Sequence, residues 1–238
     1  MQIKRIIPNS LTCANLLCGS AAVFMATQCE FLWAFALILA GGLFDFFDGA
    51  SARWLKVPSP LGVQLDSLAD DITFGLAPAM ILMCYLKPII GWWALIALLM
   101  AAFSALRLGK FNIDERQTSS FLGLATPANA IFWGSITCLP YQAVCQPWMP
   151  WCLLAISLLS CWLLVCEIPF CSLKFKSFAW KDNYDKYVFL MGTLMIIIGC
   201  SIKAFIASNI HILTYAGALI ILWYVLVNVT LSIIGAKK

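Results

Sequence analysis

Charge is what this sequence has least of. Only 11% of its 238 residues are Asp, Glu, Lys or Arg, while 63% are hydrophobic. A soluble domain of this length could not hide so much apolar surface, so lipid is the expected solvent for most of the chain. Histidine is almost missing: His211 stands alone at the start of the last apolar run and is given no role. A zinc site is therefore not expected. The eleven cysteines (Cys13, Cys18, Cys29, Cys84, Cys138, Cys145, Cys152, Cys161, Cys166, Cys171 and Cys200) include no CxxC pair and read as small membrane-helix residues. Internal repeats, low-complexity stretches and a soluble domain are also lacking. Met1 to Pro8 is basic and precedes an apolar run, but no small-residue cleavage site ends that run, so no cleaved secretory signal is expected. A net charge of +4 with clustered acids gives no reason to expect a nucleic-acid partner.

What is present is a succession of apolar runs, approximately 10–28, 31–53, 62–86, 89–108, 127–144, 149–166, 187–206 and 210–234. The expected fold class is all-α: a polytopic membrane helical bundle of about eight transmembrane helices, forming a single integral membrane domain over 1–238. With eight spans both termini share one side. That side collects Lys4, Arg5, Arg53, Lys56, Arg107, Lys110, Arg116, Lys174, Lys176, Lys181, Lys186, Lys237 and Lys238, and the other side holds only Lys87 and Lys203. The positive-inside rule then places both termini in the cytoplasm. Short connections at Gln28–Phe31, Leu86–Ile89 and Gln146–Pro150 predict antiparallel neighbours.

The few acids are not scattered. Asp45 and Asp48 are three residues apart, and Asp66 and Asp70 are four apart, so each pair shares a helix face. Between them, Val57-Pro-Ser-Pro60 breaks the chain and turns it back. A helical hairpin would thus bring both pairs to similar depth on the cytoplasmic side. A lipid-facing carboxylate costs at least about 2.5–3.5 kcal/mol, so the four acids are expected to face a polar interior. Arg53 is the only nearby base on this stretch, and one cation cannot balance four anions. One or two divalent cations would. Metals shared by carboxylates suit phosphoryl chemistry. Gly49 lets a ligand approach the backbone, Arg53 one turn later suits a forked phosphate contact, and Asp70 can serve as a base toward a hydroxyl.

Asp45-x-x-Asp48-Gly49-x-x-Ala52-Arg53, eight residues, then Gly62-x-x-x-Asp66-x-x-x-Asp70 resembles the motif of the CDP-alcohol phosphatidyltransferases at all eight positions. In that family a CDP-linked lipid gives its phosphatidyl group to an alcohol and CMP leaves. The resemblance implies that Asp45, Asp48, Asp66 and Asp70 bind two divalent ions, Mg2+ or Mn2+. It also implies that Gly49, Ala52, Arg53 and Gly62 surround the nucleotide and that Asp70 is the base. A six-helix core and a homodimer are implied too. Flanking stretches are similar to the bacterial phosphatidylserine synthases: Ile7-Pro8-Asn9-Ser-Leu-Thr12-Cys-Ala-Asn15, Leu65-Asp-Ser-Leu-Ala-Asp70, Phe74-Gly75-Leu-Ala-Pro78, Arg107-Leu-Gly-Lys-Phe111-Asn112, Phe121-x-Gly-Leu-x-Thr-Pro-Ala and Ser172-Leu-Lys-Phe-Lys176. This implies CDP-diacylglycerol and L-serine as substrates and a bacterial inner membrane setting with a cytoplasmic active site. The catalytic core and its cytoplasmic loop would fill about 1–186, with two additional helices in 187–238. Lys110 stands where this subfamily has arginine, and Asp71 where an apolar or small residue is expected.

Each assignment has a plainer counterpart. Asn9, Thr12 and Asn15 either cap and pack the first helix or reach the nucleotide. Arg107, Lys110 and Asn112 either form an ordinary basic edge, or Arg107 and Asn112 contact serine or a lipid phosphate. Lys174 and Lys176 suit anionic membrane lipids better than catalysis. Another alcohol (glycerol 3-phosphate, an inositol phosphate or choline) would use the same core motif. A divalent-metal transporter is the reading from a different class, although such proteins hold the ion nearer the bilayer centre.

Overall fold

The computed structural model describes residues 3–57, 59–113, 121–139, 146–170, 184–206, 212 and 214–233. The side chains of Lys4 and Arg5, together with Arg116, Lys174, Lys176, Lys181, Lys237, Lys238 and His211, lie outside this description. The described chain is an all-α polytopic membrane protein built from α1 (Ile3–Thr27), α2 (Phe31–Leu55), α3 (Pro60–Asp70), α4 (Ala77–Ile90), α5 (Leu99–Ile113), α6 (Thr126–Thr137), α7 (Met149–Val165), α8 (Tyr184–Ile206) and α9 (Thr214–Ile233). A π-helical segment, Asp71–Leu76, joins α3 to α4, and a 3-10 segment, Gly91–Leu98, joins α4 to α5. Five helical stretches are long and apolar enough to cross a membrane, and α7 is a shorter apolar helix. One of the five is the continuous run Pro60–Ile113, twice the length a single span needs. It is a hairpin. Gly91 turns it at φ +59°, and Asn112 Nδ2 comes back to donate to Ser67 Oγ at 2.8 Å. The eight expected legs are therefore present in order, with different bounds. The fifth was expected over 127–144, but its helix ends at Thr137 in a turn whose Leu139 carbonyl accepts from the Tyr85 hydroxyl at 3.0 Å.

Helices α1 and α2 form the first antiparallel pair, joined by a tight turn in which Cys29 takes φ +62° and Glu30 N donates to Met25 O. A Cβ added at Gly41 of α2 would meet the Asn15 side-chain oxygen at 2.9 Å and Thr73 Cγ2 at 2.6 Å. A Cβ at Gly19 of α1 would collide with the Thr73 side chain and reach its Cα at 2.7 Å. Two glycines on neighbouring helices thus make the slot that receives the π-helical segment, and Thr73 Oγ1 locks it by donating to the Asn15 carbonyl at 3.0 Å. Pro78, which has no N–H for the carbonyl of Phe74, follows directly and favours the wide turn.

Helix α6 is enclosed by its neighbours. Trp133 is fully buried and donates Nε1 to Ser160 Oγ of α7 at 3.2 Å, while Gly134 lies against the Phe35 ring of α2. Helix α9 packs on α6 through Gly217 against Ser135 and Ile131. Helix α8 lies outside α9, with Trp223 of α9 set against Gly192 and donating to the Phe189 carbonyl at 3.3 Å. At one end of the bundle, Phe121–Leu122 pairs antiparallel with Pro169–Phe170. Exposed Trp92, Trp93, Trp148 and Trp151 cluster at the other end, as an interfacial aromatic belt does. The nine cysteines among the described residues are free.

Candidate active site

Helix α2 ends in a left-handed cap at Lys56, φ +53°, with Val57 N donating to Ala52 O. Ser59 then caps α3: its Oγ accepts from Gly62 N at 3.0 Å, and Pro60 fills the first helical position. This short reversal sets the carboxylates of α2 against those of α3. Asp45, Asp48 and Asp66 each bring a ligand oxygen within 4.8 Å of the others. Asp48 is buried. Asp48 Oδ2 and Asp66 Oδ1 are buried with no hydrogen-bond partner among the described residues. Two ionised carboxylates 4.8 Å apart repel by about 3.5 kcal/mol at an effective dielectric of about 20. Three gathered this closely, two of them with a buried orphaned oxygen, have the donor set of a divalent-cation site.

Asp70 is held differently. It ends α3, and its Oδ1 accepts from Asn15 Nδ2 of α1 at 3.0 Å. Asn15 has no exposed surface, and its carbonyl receives the Thr73 bond, so the residue is anchored at both ends. Asp70, the fourth acid expected at the centre, is thus held by an amide next to the group of three.

Residues expected around a nucleotide share one cavity. Asn9, Thr12, Asp48, Gly49, Ala52, Arg53, Gly62 and Asp66 all line one cavity of about 200 Å3, with Pro8, Val57, Ser59 and Val63. It lies where α1 passes the α2–α3 reversal. A Cβ at Gly49 would stand 3.3 Å from Arg53 Nη1, so the bare backbone there leaves room for the guanidinium. Thr12 is buried and donates Oγ1 to the Pro8 carbonyl at 3.0 Å. The two residues weighed as serine or lipid-phosphate contacts part company. Arg107 is buried, within electrostatic reach of Asp70 and Tyr224, and its Nε has no hydrogen-bond partner among the described residues. Asn112 is exposed and bonded to Ser67. Asp71, whose neighbour was open in the sequence, faces α5: a Cβ at Gly75 would meet Asp71 Oδ1 at 2.7 Å and Ser104 Oγ at 2.6 Å. The positioning role of Asn15 was not drawn from the sequence; its signal was an amide in an apolar run, open to both a packing and a binding reading.

Fold and site together define a polytopic membrane protein with a carboxylate centre of the kind that holds divalent cations, beside a small cleft at one end of the bundle. The family model for CDP-alcohol phosphatidyltransferase matches residues 5–171, and the chain belongs to that family. Three relatives carry the name CDP-diacylglycerol–serine O-phosphatidyltransferase. The chain is 39% identical to the one from Bacillus subtilis over 124 residues, 51% of this chain and 69% of the relative. It is 34% identical to the one from Helicobacter pylori (strain 26695) over 129 residues, 53% of this chain and 54% of the relative. It is also 34% identical to the one from Mycobacterium tuberculosis (strain H37Rv) over 136 residues, 53% of this chain and 47% of the relative. The chain thus spans about two thirds of the first relative and about half of the other two.

Proposed function

We propose that this protein transfers the phosphatidyl group of CDP-diacylglycerol to the hydroxyl of L-serine, giving phosphatidylserine and CMP. The observation that carries the reading is the convergence of Asp45, Asp48 and Asp66 beside the cavity that contains Gly49, Arg53 and Gly62. Asp45, Asp48 and Asp66, with Asp70 at the edge, would hold divalent ions, Mg2+ or Mn2+ and two in number. Such ions, when bound, neutralise charge on a pyrophosphate. Arg53 binds a phosphate oxygen through its fork, and Gly49 and Ala52 let the nucleotide lie against α2, with Asn9, Thr12 and Gly62 closing the cleft. Asp70, oriented by Asn15, accepts the proton of the serine hydroxyl. The hydroxyl oxygen bonds to the phosphorus that carries diacylglycerol, the bridging P–O bond breaks, and CMP leaves with that oxygen. The lipid tails remain in the bilayer between helices.

The setting belongs to the same reading: a bacterial inner membrane, termini and active site in the cytoplasm, and a homodimer. The catalytic core and loop occupy about 1–186, and the two additional helices of 187–238 correspond to α8, which begins at Tyr184, and α9 of the same membrane domain. The test is an assay of the purified protein in detergent with CDP-diacylglycerol, Mn2+ or Mg2+ and labelled L-serine. Labelled phosphatidylserine from the parent and none from Asp70→Asn is the expected result. CMP release only with another alcohol would overturn serine as acceptor, and no CMP release with any alcohol would overturn the activity.

A further inference from the structure

Away from the active site, α1 and the chain from α3 into α4 keep one register along the bundle. Asn15 donates to Asp70 across 55 residues of sequence, and a Cβ at Gly19 would stand 2.7 Å from Thr73 Cα. The step from Asn15 to Asp70 recurs from Ala22 to Ala77, from Ala26 to Ile81 and from Cys29 to Cys84. Ala22, Ala26, Ala77 and Ile81 have no exposed surface and pack in one cluster with Phe74. Parallel helices of equal rise hold such a constant step in register. Small side chains along the seam let the two backbones approach closely.

Cys29 and Cys84 form the next rung. Cys84 follows Ile81 by three residues, so both lie on one face of α4. Cys29 sits in the turn after α1, at φ +62°, and its N–H donates to the Ala26 carbonyl at 3.1 Å. The rung beyond the cysteines is made as well: Phe31 sets its ring edge-on to Tyr85, with centroids 5.3 Å apart. The pair is thus bracketed by packed residues on both sides. The two thiols lie within electrostatic reach of each other, and both are free in this structure. Cys29 is exposed and Cys84 is partly buried, so a reagent can reach the pair from the end of the bundle.

We propose that Cys29 and Cys84 are joined by a disulfide across the extracytoplasmic ends of α1 and α4, formed by exchange with an oxidised dithiol carrier of that compartment. The proposal rests on the cytoplasmic placement of the active site given above, because these two ends lie on the opposite side. Disulfides persist outside the cytoplasm. The Cys29 thiolate attacks one sulfur of the carrier's disulfide, which breaks that S–S bond and leaves a mixed disulfide. The Cys84 thiolate then attacks the Cys29 sulfur, and the Cys29–Cys84 bond forms. The carrier leaves as a dithiol, with the two electrons and two protons that the cysteines give up. The bridge fixes the far end of the helix pair whose near end sets Asn15 against Asp70.

The test uses the full-length protein in its membrane. Membranes are quenched with N-ethylmaleimide without reductant, and the purified protein is digested and read by mass spectrometry. A peptide pair linked through Cys29 and Cys84, which separates on reduction, is the expected result. Reductant should also lower the unfolding midpoint of the parent in detergent and leave that of Cys84→Ser unchanged. A membrane-impermeant maleimide on intact spheroplasts reads sidedness separately and should label Cys29 in Cys84→Ser. Labelling of Cys29 from outside, with both cysteines alkylated and unlinked in the parent, would overturn the bridge and keep the orientation. A bridge from either cysteine to a different thiol would also overturn it. Labelling of Cys29 only after the membrane is opened would overturn the orientation and the bridge together. The linked peptide is read in the parent, so that result stands even where Cys84→Ser does not fold.

Discussion

Asn15→Ala removes the amide that donates to Asp70, and its consequence can be worked from the structure. The bond is 3.0 Å long, lies beside a fully buried residue, and ends on a carboxylate. A hydrogen bond to a charged group contributes about 1.5–3 kcal/mol. If Asp70 takes the proton of the acceptor hydroxyl, losing its orientation by that amount lowers kcat by about 10- to 150-fold, at 1.36 kcal/mol per factor of ten. KM for CDP-diacylglycerol should move by less than about threefold, because Asn15 is not among the residues that line the nucleotide cavity. Asn15→Asp keeps the side-chain volume but turns the donor into an anion facing Asp70, so it separates the lost bond from a cavity effect and should cost at least as much. The assay is labelled product formation at saturating substrates, with the unfolding midpoint in detergent measured alongside. A folded Asn15→Ala protein with kcat within twofold of the parent would refute the assignment of Asn15 as the residue that positions Asp70.

Chelation of divalent ions should abolish transfer, and added Mn2+ or Mg2+ should restore it. Asp66→Asn, which removes one of three gathered carboxylates, should raise the metal concentration for half-maximal activity by at least about 10- to 100-fold in a metal titration; transfer that survives exhaustive chelation would count against the metal site. Arg53→Lys keeps the charge but loses the fork, so one charge-assisted bond of about 1.5 kcal/mol disappears and KM for CDP-diacylglycerol should rise about tenfold with little change in kcat. An unchanged KM would remove Arg53 from the phosphate contacts.

Much of this protein is decided within a few residues along the chain. The apolar runs dictate a membrane bundle because exposed backbone is intolerable in lipid, and their alternation with short polar breaks orders the eight legs. The spacings Asp45–Asp48 and Asp66–Asp70 put each pair on one helix face, and the Val57–Pro60 break is enough to bring the pairs back toward each other. Gly49, Arg53 and Gly62 follow into the same cavity because they belong to the same two helices. Helical periodicity states which residues share a face, but not what each face meets. That was left to packing. Asn15 reaches Asp70 across 55 residues of sequence, beside a slot in which Gly19 and Gly41 receive Thr73. The π-helical segment alters the turn per residue after Asp70, so the direction of Asp71 toward Ser104 could not be read from a 3.6-residue period. Arg107 and Asn112 looked like one basic edge, yet one is buried and the other is exposed, because the α4–α5 hairpin presents only one side of α5 to the interior. Local spacing determined the chemistry this protein carries; the rotation of each helix against its neighbours, set by close packing at glycines, decided which groups of that chemistry stand together.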